Sequence, residues 1–87
     1  MITQHPIYIC SLFINNSITN VIENDIDHDL NDIAFMADAI DYGRLYDPST
    51  FRFKLWGSFN SKEQAKDFEI RLKDHLIYKF GLEVFEK

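Results

Sequence analysis

The chain has one cysteine, three glycines and two prolines among its 87 residues. A lone thiol, Cys10, permits no intrachain disulfide, which argues against the disulfide-stapled class of small secreted domains. The glycines stand apart at positions 43, 57 and 81, so there is no glycine-rich loop to cradle a phosphate. The longest apolar run, Ile7 to Ile14, is too short to cross a bilayer. It lacks a basic segment before it and a small-residue cleavage site after it, so it does not read as a signal peptide. By elimination the expected location is cytoplasmic. Residues 1–43 also contain no Lys or Arg.

That same half carries Glu23, Asp25, Asp27, Asp29, Asp32, Asp38 and Asp41, whereas residues 44–87 hold nine basic and seven acidic side chains. The net charge of −5 disfavours direct binding to nucleic acid or to an anionic membrane. The uneven distribution is an interaction signal, and the plain alternative is a solvated acidic face that favours solubility. Hydrophobic content is 46% and aromatic content 15%, which places the chain among folded proteins and leaves aromatics to spare for a surface. The length implies one domain, residues 1–87.

His5-Pro6 opens the first element. Ile7 to Ile14 reads as a strand with apolar residues on both faces, hence a central or doubly covered one. Asn15-Asn16-Ser17 is a turn, and Ile18 to Ile22 fits either a second strand or an irregular approach to a helix. The spacing of Leu30, Ile33, Ala34, Ala37 and Ile40 predicts a helix over about 29–41, stopped by Gly43. Asp32, Phe35, Asp38 and Tyr42 then fall on its outer side. Arg44-Leu45-Tyr46 reads as a short strand and Asp47-Pro48-Ser49-Thr50 as a turn. Phe51 to Phe59 is the clearest strand. Phe51, Phe53 and Leu55 mark its core face, Arg52, Lys54 and Trp56 the other, and Gly57 a bulge or an end. Asn60 or Ser61, with Glu63 or Gln64, caps a helix reaching Lys79, with Ala65, Phe68, Leu72, His75 and Leu76 on one face. Ile70 and Ile77 widen its apolar surface, and Gly81 ends it. Leu82 to Phe85 reads as a last strand.

The expected fold is therefore α+β. It has a small, mainly antiparallel sheet of three or four strands, with two helices on one face and a ferredoxin-like βαββαβ order.

Chemical motifs fail one after another. Counted from Asp25, an EF-hand loop would need Gly at position 30 and Glu at position 36, where Leu30 and Met36 stand. His5, Cys10, His28 and His75 have no zinc-ligand spacing. His28 among carboxylates is a candidate pH-responsive point. Cys10 lies in an apolar strand, where thiols are inert. No metal, cofactor or catalytic residue is assigned, and the chain reads as a non-enzyme. Arg52, Lys54 and Trp56 on one strand face could take single-stranded nucleic acid, but three residues weigh little against the net charge.

The leading expectation is a protein-binding module. Its candidate contact residues are Glu23, Asp25, Asp27, Asp29, Asp32, Phe35, Asp38, Asp41 and Tyr42. Carboxylates would steer it to a partner with a basic surface, such as the nucleic-acid-binding site of a larger complex, while the aromatics supply burial. An inhibitor of such a complex is the concrete version. Small phage-encoded inhibitors of host defence, anti-CRISPR proteins among them, share this size and charge. The second expectation is a homodimer or other homo-oligomer with a structural or regulatory role. The third is a divalent-metal-binding protein using Asp25 to Asp32.

Overall fold

A computed structural model describes residues 6–87. His5 lies outside the described residues. The elements run β1 (Tyr8–Asn15), α1 (Asn20–Met36), β2 (Asp41–Asp47), β3 (Arg52–Phe59), α2 (Lys62–Tyr78) and β4 (Val84–Phe85). They make one four-stranded, wholly antiparallel sheet and two helices, an α+β domain. Strand order across the sheet, β2-β3-β1-β4, differs from the order along the chain. Each helix thus joins two strands separated by a third: β3 lies between β1 and β2, and β1 lies between β3 and β4.

β1 shows why the helices share one face. Cys10, Leu12 and Ile14 are buried, whereas Ile9 is 68% exposed. Strand residues alternate sides, so β1 is interior to the sheet yet covered on one face only, not on both. On that face Leu12, Ile14, Leu55 and Phe59 meet Ile26, Leu30 and Ala34 of α1 and Phe68, Leu72 and Leu76 of α2 in one core. Burying side chains of this size contributes about 1.5–3 kcal/mol each.

α1 begins nine residues before the expected start, at Asn20 rather than Asp29. The Thr19 hydroxyl caps it, accepting from Ile22 N at 3.3 Å. The ambiguous stretch 18–22 is thus the helix start. Ile22 and Ile26 extend the apolar period of Leu30 and Ile33 backward through the acidic run, and burial of that face outweighs the low helix propensity of Asp and Asn. The helix also ends early, before Ile40, which is exposed. Asp38 takes the left-handed conformation, φ 56°. Its N–H donates to Phe35 O at 3.2 Å and that of Ala39 to Ala34 O at 3.0 Å, a Schellman closure. Asp38 therefore fills the position expected of Gly43.

Gly43 instead lies within β2, under the Trp56 indole: a Cβ there would sit 3.1 Å from Nε1. Gly57 is neither a bulge nor a strand end, since β3 continues to Phe59. A Cβ on it would lie 2.8 Å from the Phe59 ring and 3.2 Å from that of Phe68. Phe51 is not on the core face. It sits in the turn before β3 with φ 57° and is exposed. That turn is held by Asp47, whose carboxylate accepts from Ser49 N at 3.0 Å and from Ser49 Oγ at 2.6 Å. α2 is closest to expectation. Ser61 caps it, accepting from Gln64 N at 3.2 Å, and Phe68, Leu72 and Leu76 are fully buried.

Two substitutions should move stability in opposite directions. Asp38→Gly removes the strain of a Cβ in a left-handed position and should raise unfolding free energy by about 0.5–1 kcal/mol. Gly57→Ala overpacks Phe59 and Phe68 and should lower it by about 1–3 kcal/mol. Urea unfolding followed by circular dichroism measures both.

Candidate functional site

The helical period distributes the acidic residues of α1 over three directions. Glu23 and Asp27 face β2, where Arg44 comes up from the helix-covered side of the sheet. Arg44 Nε donates to Asp27 Oδ1 at 2.6 Å and Nη2 to Asp27 Oδ2 at 3.0 Å, a two-pronged pair, while Nη1 reaches Glu23 Oε1 at 3.2 Å. The guanidinium also lies 4.6 Å from the centre of the Phe53 ring. The Arg44 side chain is only 19% exposed.

Asp29 faces α2. Its Oδ2 takes hydrogen bonds from His75 Nε2 and from Lys79 Nζ, each at 2.6 Å. Burial pushes the Asp29 carboxyl upward, but the hydrogen bonds from Lys79, His75 and His28 outweigh it and hold the group down at about 2. Lys79 is correspondingly raised by its bond to Asp29, against the opposing effect of desolvation.

The third direction is outward. Asp25, His28, Asp32, Phe35 and Met36 follow one another along the solvent side of α1 at helical spacing. Asp32 is 60% exposed and Phe35 is 83% exposed. Asp38 is exposed just past the helix end. Asp41 and Tyr42 are not on the helix but open β2. The Asp41 carboxylate accepts from Tyr42 N at 2.9 Å, and the Tyr42 hydroxyl donates to Asn31 Oδ1.

Of the nine residues expected to form one contact surface, the structure therefore groups Asp25, Asp32 and Phe35 along the solvent side of α1, with Asp38 exposed just past its end and Asp41 exposed at the start of β2. Glu23, Asp27 and Asp29 are held in internal ion pairs, and Tyr42 is anchored in β2. His28 and Met36 belong to the outward stripe and were not among the nine. Their spacing from Asp32, four residues on either side, was the available signal once the helix register is correct.

Residues 25–36 are helical, so Asp27 points away from Asp25 and Asp29 and the three cannot wrap a calcium ion as a loop does. Among the described residues, His28, Asp29 and Asp32 bring one ligand atom each within 4.8 Å of one another. A cation there would have to compete with the Lys79 ammonium for Asp29. Cys10 is buried, and desolvation, with the charge of Glu69 second, raises its thiol to about 11.

Arg52, Lys54 and Trp56 do share the uncovered face of the sheet, and Phe13 and Phe85 join them. Register places Leu45, Lys54, Phe13 and Phe85 in one row across all four strands. Arg52 is committed: its guanidinium carbon lies 3.5 Å from the centre of the Phe85 ring, and it donates to the Lys87 carbonyl. No helix among the described residues is long and apolar enough to cross a membrane. No protein-family model, curated protein or solved structure matches the chain.

The pair of ionic clasps can be separated by pH. The folded Asp29 carboxyl sits at about 2 against an ordinary 3.8, so its contribution is complete above the ordinary value and is lost as pH falls from 3.8 through 2. Asp29→Asn should therefore lower stability near neutral pH by about 1–2 kcal/mol and flatten the acid limb of the stability profile, converging on wild type below about pH 2. Arg44→Ala strips the partner from Glu23 and Asp27 and should cost about 1–2 kcal/mol near neutrality. Urea midpoints between acid and neutral pH measure both effects.

Proposed function

We propose that this chain is a non-enzymatic binding module whose docking surface is the outer side of α1, from Asp25 through Asp32, Phe35 and Met36 to Asp38. The observation that carries this reading is Phe35. The aromatic ring is 83% exposed at the end of a helix whose inner face is fully packed, and it stands beside carboxylates with no cation paired to Asp25 or Asp38 among the described residues. An exposed aromatic supplies the area that anchors an interface, and the flanking charges speed and orient encounter.

The partner this chemistry fits is a protein with a basic surface. Basic surfaces commonly bind nucleic acid, and carboxylates spaced along a helix can stand where phosphates would. Inhibition of a nucleic-acid-binding complex is the concrete form of this proposal. The uncovered sheet face fits direct nucleic-acid binding less well, because Arg52 is held by Phe85 and Lys87 and Lys54 is left as its one uncommitted cation among the described residues. The internal pairing of Glu23, Asp27 and Asp29, and the burial of Cys10, favour binding over catalysis.

The test is capture of partners from a lysate of the organism that encodes the chain, using wild type, the double charge reversal Asp32→Lys/Asp38→Lys, and Phe35→Ala. A partner with a basic surface should be recovered at low salt and lost at high salt. Phe35→Ala should weaken the purified pair on the order of 30-fold, and the charge reversal by tenfold or more. A partner held equally by all three proteins would show that α1 is not the docking surface.

A further inference from the structure

The two edges of the sheet are built differently. β2 forms one edge and carries Asp41, Arg44 and Asp47, with Pro48 directly after it. Charges and proline of this kind discourage the addition of another strand. On the other side, β1 pairs with β3 along its whole length, from Tyr8 to Asn15, but β4 reaches only Phe13 and Ile14. Among the described residues, Tyr8 to Leu12 thus have no strand neighbour on the side away from β3. That segment reads Tyr-Ile-Cys-Ser-Leu, with no charge, no proline and no glycine. Ile9, at its centre, is 68% exposed. Alternate residues of an unpaired edge present free backbone N–H and C=O groups.

An open groove of ≈ 580 Å³ runs beside this edge, between β1 and the first half of α2. Its walls include Tyr8, Cys10, Lys62, Lys66, Glu69 and Glu86.

We propose that this edge is a homodimer interface, in which two copies pair their β1 strands antiparallel across a two-fold axis and the four-stranded sheet becomes one of eight. Charge identifies the occupant as a second copy. The groove carries two lysines and two glutamates, and a two-fold operation reverses one groove against the other. The Lys62 end of one α2 then meets the Glu69 end of its mate, bringing a second cation to a carboxylate that Lys66 of its own helix already approaches at 3.6 Å.

Alternation supplies the register. Residues directly opposed in an antiparallel pair point to the same side of the sheet. An axis through Ile9 sets that side chain against its own copy on the uncovered face. Tyr8 is set against Cys10 of the second copy on the helix-covered face. Neither of these strand pairs opposes like charges. α2 packs on β1, β3 and β4, whereas α1 packs on α2 and on β2 at the far edge of the sheet, so α1 lies away from the β1 edge. The dimer therefore leaves the outer side of α1 free, and this inference does not depend on the proposed docking function.

Sedimentation of the full chain over a wide concentration range tests it. Wild type should show a reversible monomer–dimer equilibrium. Ile9→Lys places two ammonium groups on the axis and removes two apolar side chains, so it should raise the dimer dissociation constant on the order of 100-fold. A second measurement does not depend on how that variant folds. In a Cys10→Ala background, Ile9→Cys should be joined into a covalent dimer by a short bismaleimide at low protein concentration. Val21→Cys on the outer side of α1 should stay monomeric under the same treatment. A wild-type chain that remains monomeric at every concentration overturns the proposal. So does a dimer that gives no covalent product from position 9.

Discussion

Each residue of an α-helix is turned by about 100° from the one before it, and in α1 this rotation decides what the acidic half of the chain can do. The run from Glu23 to Asp32 holds five carboxylates. In a loop all five could face a partner or a metal ion. On a helix they cannot. The apolar residues Ile22, Ile26, Leu30 and Ile33 claim one side for the core, and the carboxylates occupy what is left. Two are delivered to β2, one to α2 and two to water. Helix register comes first, and both internal cohesion and outward charge follow from it.

The inward carboxylates differ in weight from the many charges on the surface. Arg71 and Asp67 on α2 also form a close pair, 2.8 Å apart, but both side chains are about half exposed. Pairs of that kind contribute roughly 0–1 kcal/mol, because water and salt compete for each partner. Arg44 and Asp29 are mostly sheltered. Arg44 makes three hydrogen bonds to two carboxylates and lies against an aromatic ring, so its geometry is set by several contacts at once. Asp29 receives a histidine and a lysine from the last turns of α2. Together they fasten α1 on both flanks, to the sheet and to the other helix. The complete lack of Lys and Arg before position 44 makes this possible only through long-range contacts. Every lysine or arginine that steadies α1 comes from β2 or from the C-terminal cap of α2.

That dependence also explains which parts of the structure were legible in the sequence. α2 was, because its cap, its apolar face and its stop all lie within the helix and its immediate flanks. β1 and β3 were legible as strands, because β-branched and aromatic runs and alternation are local signals, although the one-sided cover of β1 was not. The start of α1 was not. Asp and Asn are poor helix formers, so the helix is expected only from about residue 29, with 18–22 as a strand or an irregular approach, and packing of Ile22 and Ile26 against the core overrides that preference. Gly43 and Gly57 were misread for a related reason. Isolated glycines suggest stops and bulges, but here each makes room for a ring from a neighbouring residue, Trp56 over Gly43 and Phe59 over Gly57. Such a close approach exists only once the strands are in register. Of the candidate contact surface, the outward Asp32 and Phe35 were legible, since their angular relation does not depend on where the helix begins. The inward pairing of Glu23, Asp27 and Asp29 was not, since the Arg44, His75 and Lys79 that hold them lie seventeen or more residues away.

Net charge alone would describe this molecule poorly, because charge and exposure are not distributed together. The uncovered sheet face holds cations and three aromatic rings, yet its groups are largely satisfied by one another. Trp56 packs on Gly43, and Arg52 lies over Phe85 with one N–H donated to the Lys87 carbonyl. A ligand arriving there would have to break contacts before making its own, and the strength of binding is the surplus after such costs. On the outer side of α1 the cost is smaller. The Phe35 ring has few contacts to lose, and Asp25 and Asp38 have no ion-pair partner among the described residues to abandon. The helix that presents them is already rigid, fixed from beneath by the core and from both flanks by Arg44, His75 and Lys79. The same pairing that commits three carboxylates to contacts within the fold thus holds the remaining ones in place for an encounter.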